Sequence, residues 1–345
     1  MNSPTFIRRF ASTTAAVFSG IAAVSAAPES TDTNTTGPAT SSAEQGQTSL
    51  DEAFDFQQWR LEKRRKALED TTLKFNFRTY YLDRNKFDGT ENEAWATGGW
   101  AGVKTGYFLD HISLGVTGYT SQHLQGDDDT DGTLLLAPGQ ESYSVLGELY
   151  ADIRIIDGLN LVGGRKEFDT PFINRNDTRM TPNTFEAVAL QGLAELGDDR
   201  GTIKYGAGYF DSIKDRNSDE FVSMSTDAGA TVERGVFTAG GLWQKGNFSI
   251  GGIDYYSADI INIAYLEAKV EVPVCIGWKL KLAAQYADQS GVGDNLLNGD
   301  DFSARQFGLK AELPVGHALF TAAFTSASGD ANMQNPWSGY PGYTA

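Results

Sequence analysis

The chain has 345 residues, a formal net charge of −17, 40% apolar residues and a single cysteine, Cys275. It holds no uninterrupted apolar run of about 18 residues, which excludes a helical membrane span. The acidity argues against a nucleic-acid partner, and one cysteine cannot close an intrachain disulfide.

The first 27 residues stand apart. Arg8 and Arg9 are followed by a weakly apolar run from Ala11 to Val24 and by the small residues Val24-Ser25-Ala26-Ala27. This pattern predicts a signal peptide removed near Ala26 or Ala27, with a disordered or amphipathic N-terminus as the alternative. Losing the two arginines takes the net charge from −17 to −19. Residues 28–49 are rich in Ser, Thr, Ala and Gly and read as a flexible linker. Over 50–69, Phe54, Trp59, Leu61 and Leu68 alternate with Arg60, Lys63, Arg64, Arg65 and Lys66, which fits a short basic helix. Such a helix is either solvated or touches anionic lipid or the cell wall.

From residue 70 the period changes to two. Leu73, Phe75, Phe77 and Tyr81 share one parity, and Lys74, Asn76, Arg78 and Tyr80 the other. Ile112, Leu114 and Val116 alternate with Ser113, Gly115 and Thr117; Val145, Leu149, Ile153 and Ile155 alternate with Ser144, Glu148, Asp152 and Arg154. Less regular segments follow near 202–211, 235–244, 247–257, 260–272, 276–288, 302–313 and 316–327. Repeated segments of ~10 alternating residues predict an all-β fold, a transmembrane antiparallel β-barrel over 70–345 with about 13 strands. A soluble sandwich shows the same alternation, but here the polar parity carries full charges, among them Lys104, Glu148, Asp152, Arg154, Lys204 and Lys269. If the apolar face is buried in lipid, that charged face must be a wet lumen. Aromatic residues such as Tyr80, Tyr81, Trp95, Trp100, Tyr107, Tyr119, Tyr255, Tyr265 and Trp278 fall near strand ends, where interfacial girdles sit. Tight links at 109–111, 157–158, 245–247 and 314–316 alternate with long polar links at 124–142, 167–183, 213–232 and 289–301, which places the former on the periplasmic side and the latter outside.

Several stretches resemble the OprD-type family of outer-membrane porins. They run from Glu69 through Leu73, from Phe77 to Asn85, from Glu141 to Glu148, and over Asn335-Pro336-Trp337-Ser338-Gly339-Tyr340-Pro341-Gly342-Tyr343. The densest covers Gly164-Arg165, Asp169-Thr170-Pro171-Phe172-Ile173-Asn174 and Asn176 to Glu186. The resemblance implies an 18-stranded, substrate-specific outer-membrane channel for small solutes, typically carboxylates, with no cofactor and no energy source. It implies that the 167–183 link folds inward and narrows the pore, with Asp169, Asn174, Asn176, Asp177 and Arg179 at the constriction. Its two prolines and its polar side chains suit that task independently. The resemblance also implies a row of basic residues along the lumen, with Arg84 and Arg154 at such positions and Arg78 close by. Parity places Arg78, Arg84, Lys104 and Arg154 on the wet face, as pore-lining groups that guide anions or pair with wall acids.

Residues 28–66 lie outside the resemblance. The roughly five strands beyond the 13 counted would complete the implied 18, so the barrel is read as C-terminally incomplete. Outer-membrane lipid and lipopolysaccharide are the expected surroundings, and a monomer or weak trimer the expected assembly. Catalytic and metal-binding patterns are not found. His111, His123 and His317 are isolated, Asp127 to Gly132 begins like a calcium loop but reaches Pro138 where a glutamate is needed, and Ser121 with His123 is a loose hydrolase pair. A structural or adhesion barrel and an outer-membrane hydrolase remain the competing functions.

Overall fold

The computed structural model describes residues 14–21, 56–197, 199–275, 277–297 and 299–344. A helix, α1 (Phe56–Glu69), leads into an antiparallel series: β2 (Thr72–Asn85), β3 (Glu91–Lys104), β4 (Ile112–Gln125), β5 (Tyr143–Ile156), β6 (Leu159–Lys166), β7 (Thr184–Glu195) and β8 (Thr202–Lys214). After the short β9 (Val222–Ser223) and α2 (Met224–Asp227), it continues through β10 (Val236–Lys245), β11 (Phe248–Ser257), β12 (Ile261–Cys275), β13 (Trp278–Ser290), β14 (Ser303–Val315) and β15 (Ala318–Gly329). Each strand pairs with the next, β10 pairs directly with β8, and β9 sits beside β8. A further strand, β1 (Thr14–Ile21), lies antiparallel on β2 with Ser19 opposite Arg78. The expected signal peptide therefore falls partly on β1; its other residues and the 28–49 linker lie outside the described residues. Fourteen strands form one path whose ends, β1 and β15, do not pair with each other among the described residues, so the sheet is open. Without β1 and β9, thirteen strands remain, the number read from the alternation.

The outer face is apolar and bare. Leu73, Phe75 and Phe77 of β2 are more than half exposed, and Leu114, Val188, Phe237, Leu266, Leu309 and Phe324 continue the belt across the sheet. Water would not tolerate an apolar surface of this extent, whereas hydrocarbon demands it. No helix among the described residues is long and apolar enough to cross a membrane. Links alternate as expected, from two-residue turns at 157–158, 246–247 and 316–317 to long excursions at 126–142, 167–183, 215–235 and 291–302.

Two readings of parity are corrected. In β5 the register slips where Thr117 faces Glu148 and Gly118 faces Leu146. The bulge turns Tyr143 inward and leaves Ser144 and Leu146 exposed, reversing the first part of the predicted alternation. The aromatic girdle is also thinner than expected. Tyr81, Trp95, Tyr256 and Trp278 face outward, but Tyr119 and Tyr255 are fully buried inside the sheet because loops fold in to cover them.

Helix α1 is seated on the tight-turn end. Ala67 is buried, its carbonyl accepts the Gly106 N–H at 2.9 Å, and Lys63 pairs with Asp110. Leu61, Arg64, Arg65 and Leu68 stay exposed on its other side.

Candidate functional site

The concave face of the sheet is partly filled by its own loops, and the 167–183 link is the centre of that filling. Phe172 and Ile173 are fully buried, and Phe172 meets Tyr255 edge-on at 5.7 Å. The Tyr255 hydroxyl donates to Thr170 Oγ1 at 2.9 Å and accepts the Phe172 N–H at 3.2 Å. A tight turn is closed by the Thr170 N–H donating to the Ile173 carbonyl at 2.8 Å, with Pro171 fixing φ inside it. Further along, Met180 packs with Leu82, Leu135 and Leu136, so the 126–142 link folds inward as well. The segment around Trp337 completes the contact. Trp337 is fully buried, its indole N–H donates to the Met224 carbonyl at 2.8 Å, and the Gly339 N–H donates to the Phe172 carbonyl at 3.0 Å.

Charged side chains are sorted by this packing. Arg78 of β2 grips Asp177 in two-point fashion, with Nη1 to Oδ1 at 2.5 Å and Nη2 to Oδ2 at 2.9 Å. It also donates to the Arg179 carbonyl at 2.6 Å and stacks 4.3 Å from the Trp100 ring centre. Arg78 is thus a clamp on the 167–183 link, with its charge already matched. Arg175 is matched too, by Glu167 at 3.3 Å and Asp169 at 3.1 Å. Burial, then the nearby Glu148 charge, raises the Glu167 carboxyl above its ordinary pKa.

Three other guanidiniums gather without such partners. Among the described residues, Arg84, Arg179 and Arg216 have no carboxylate at ion-pair distance. Arg179 donates to the Thr133 carbonyl at 2.8 Å, and Arg216 to Asn176 Oδ1 at 2.8 Å and Thr178 Oγ1 at 2.7 Å. Their pKa values are pushed down, Arg179 by burial and then by Arg84, and Arg216 by burial and then by Arg179, with the Asp215 charge acting the other way on Arg216. Mutual repulsion of this kind is relieved by an anion.

Of the expected pore-lining residues, Arg78 contacts the inward-folded 167–183 link and Arg84 lies near its Arg179; Asp169, Asn174, Asn176, Asp177 and Arg179 belong to that link. Lys104 and Arg154 do not reach it. Lys104 lies 3.6 Å from Asp152 on the wall, and Arg154 stacks 4.1 Å from the Tyr107 ring centre at the tight-turn end. The Ser121 hydroxyl, offered as half of a hydrolase pair, donates to the Leu135 carbonyl at 2.7 Å in a fully buried position. Asp131, in the calcium-like run, caps the Gly132 and Gly139 N–H groups. Arg216 was not singled out in the sequence: it sits in a polar link, outside any alternation. Below the loop a space of about 680 Å³ stays open, lined by Asn160, Gln191, Lys204 and glycines of β8, β10 and β11.

An inward-folded loop, charged side chains on the concave face and an apolar outer belt fit a membrane channel, and the sequence pattern of the outer membrane porin OprD family matches residues 66–344. The chain belongs to the OprD family of outer membrane porins. The porin is similar in fold to Pseudomonas aeruginosa OccK9 (OpdG), at 21% identity and a TM-score of 0.71, covering 80% of this chain and 73% of that one. A BenF-like porin from Pseudomonas fluorescens Pf-5 matches at 19% identity and 0.70, covering 81% and 74%. Pseudomonas aeruginosa OpdK, solved with vanillate, matches at 20% identity and 0.67, covering 79% and 70%. The search of curated proteins finds no significant match. The porin resides in the bacterial outer membrane.

Proposed function

We propose that this porin passes small carboxylate-bearing solutes selectively and passively, with Arg84, Arg179 and Arg216 as the group that draws the carboxylate into the constriction. The observation that carries this reading is their gathering, with no carboxylate at ion-pair distance among the described residues, beside the inward-folded 167–183 link of an otherwise acidic protein. Guanidinium forks stay charged and match a carboxylate at two points, so they lower the cost of shedding its water. Asn176 and Thr178 hold Arg216 in place and keep the fork pre-oriented. Lys104 and Arg154 are proposed to act further along the wall toward the periplasmic end. The vanillate in the OpdK structure is itself a carboxylate, which supports the class. No covalent step is needed, since downhill diffusion suffices.

The test is solute flux through the porin in liposomes. Replacing Arg84 or Arg216 by Gln removes a charge-assisted contact worth about 2 kcal/mol, so carboxylate preference over a neutral solute of equal size should fall about thirtyfold. Unchanged preference in both variants would remove the arginines from the mechanism.

A further inference from the structure

Beside the arginine cluster lies a second recess of about 510 Å³, bounded by the constricting loop, β12 and the segment after Trp337. Asn174, Asn176, Tyr265, Glu267 and Tyr340 line it. Its one carboxylate is already neutralised, because Glu267 Oε1 lies 2.6 Å from Lys269 Nζ and Oε2 accepts the Tyr265 hydroxyl at 3.2 Å. The Tyr343 hydroxyl approaches the same oxygen at 3.5 Å. The wall is therefore rich in hydrogen-bonding groups and near-neutral in charge.

Behind it are polar groups with capacity to spare. The Tyr340 hydroxyl accepts from Gln306 Nε2 at 2.6 Å, which leaves its own hydrogen free to point elsewhere. Gln306 Oε1 and both amide atoms of Gln285, which is the strand partner of Glu267, are buried with no hydrogen-bond partner among the described residues. Buried amides left unpaired cost free energy, so a bound group that supplies both donors and acceptors is favoured here. A hydroxyl supplies both, whereas an ionised carboxylate supplies no donor.

Asn176 joins the two sites. Its Oδ1 accepts from Arg216 at 2.8 Å, and its Nδ2 donates to the Ser338 carbonyl at 3.2 Å on the recess side. We infer that the recess between the constricting loop, Glu267 and Tyr340 is a hydroxyl subsite, and that the porin's substrates are hydroxylated carboxylates whose acid end rests at the arginines and whose hydroxyls rest against Tyr340, which Gln306 positions from behind. This inference rests on the arginine reading of the preceding section.

The test compares liposome influx of gluconate and hexanoate, matched in chain length and charge, with sorbitol as the neutral polyol. The porin should prefer gluconate to hexanoate, and Tyr340→Phe and Gln306→Leu should each cut that ratio several-fold while leaving hexanoate influx unchanged. Arg84→Gln should slow both acids and leave their ratio intact. A gluconate-to-hexanoate ratio that neither Tyr340→Phe nor Gln306→Leu moves would overturn the subsite without touching the arginine reading. If instead Arg84→Gln spares both acids while the two recess variants still lower gluconate and sorbitol alike, the arginine reading fails and the hydroxyl subsite stands alone.

Discussion

At the scale of single residues, Arg78 and Arg84 show how two arginines on one strand face take different tasks. They share parity on β2, and nothing in their spacing separates them. The difference lies in what folds back onto each. Asp177 arrives opposite Arg78 from 99 positions away, whereas Arg84 meets the like charges of Arg179 and Arg216. Arg78→Ala should therefore loosen the loop rather than remove an attracting charge. Single-channel recordings should show higher, noisier conductance, and resistance to denaturant should fall by about 2 kcal/mol. Arg78→Lys should recover charge but only part of the order, because an ammonium cannot make the two-point grip. Quiet, wild-type conductance in Arg78→Ala would show that Asp177 does not hold the loop. Sequence reasoning placed both arginines on the wet face, but partner choice is a long-range fact that one strand's pattern does not contain.

At the scale of elements, strands that face lipid on one side and water on the other were legible, as in β2 and β4. Strands β3, β6 and β7 were not bounded from the sequence, for a physical reason. Their inner faces are partly apolar as well: Ala94 and Ala96 of β3, Val162 of β6, and Phe185, Ala187 and Ala189 of β7 are buried under the inward loops. Alternation disappears when both faces are dry. The loops responsible carry a titratable element of their own. Asp227, at the end of α2, accepts the Trp337 N–H at 3.2 Å, and burial, followed by the charge of Asp215, pushes its carboxyl up to about 7 from an ordinary 3.8. A raised acid pKa means that the native fold holds the proton longer than the unfolded chain does. Its stabilisation is complete below 3.8 and is lost as pH rises through about 7. Above that point the ionised Asp227 carboxylate is buried beneath Trp337 and faces the charge of Asp215, and the loop packing should relax. Conductance measured against pH should change with a midpoint near about 7. Asp227→Asn, which fixes the neutral form, should flatten the curve, and persistence of the same midpoint in that variant would assign the titration to another group.

At the scale of the whole molecule, the sheet separates two solvents, and the same substitution has opposite meanings on its two faces. Leu266, near the middle of β12, points outward and is 57% exposed, while Gln191 on β7 lines the open space below the loop. Net charge does not distinguish these places, nor does strand length; only the parity of each strand against its neighbours does. An arginine at Leu266 must be accommodated in hydrocarbon, at a cost of about 2–4 kcal/mol near the midplane. An arginine at Gln191 stays in water and should alter conduction instead. Denaturant unfolding of the porin in lipid vesicles should therefore show Leu266→Arg destabilised and Gln191→Arg close to wild type, whereas anion flux should rise in Gln191→Arg. Equal stabilities for the two variants would mean that β12 does not present Leu266 to lipid, and the outward belt that runs from Leu73 to Phe324 would lose its meaning as a membrane-facing surface.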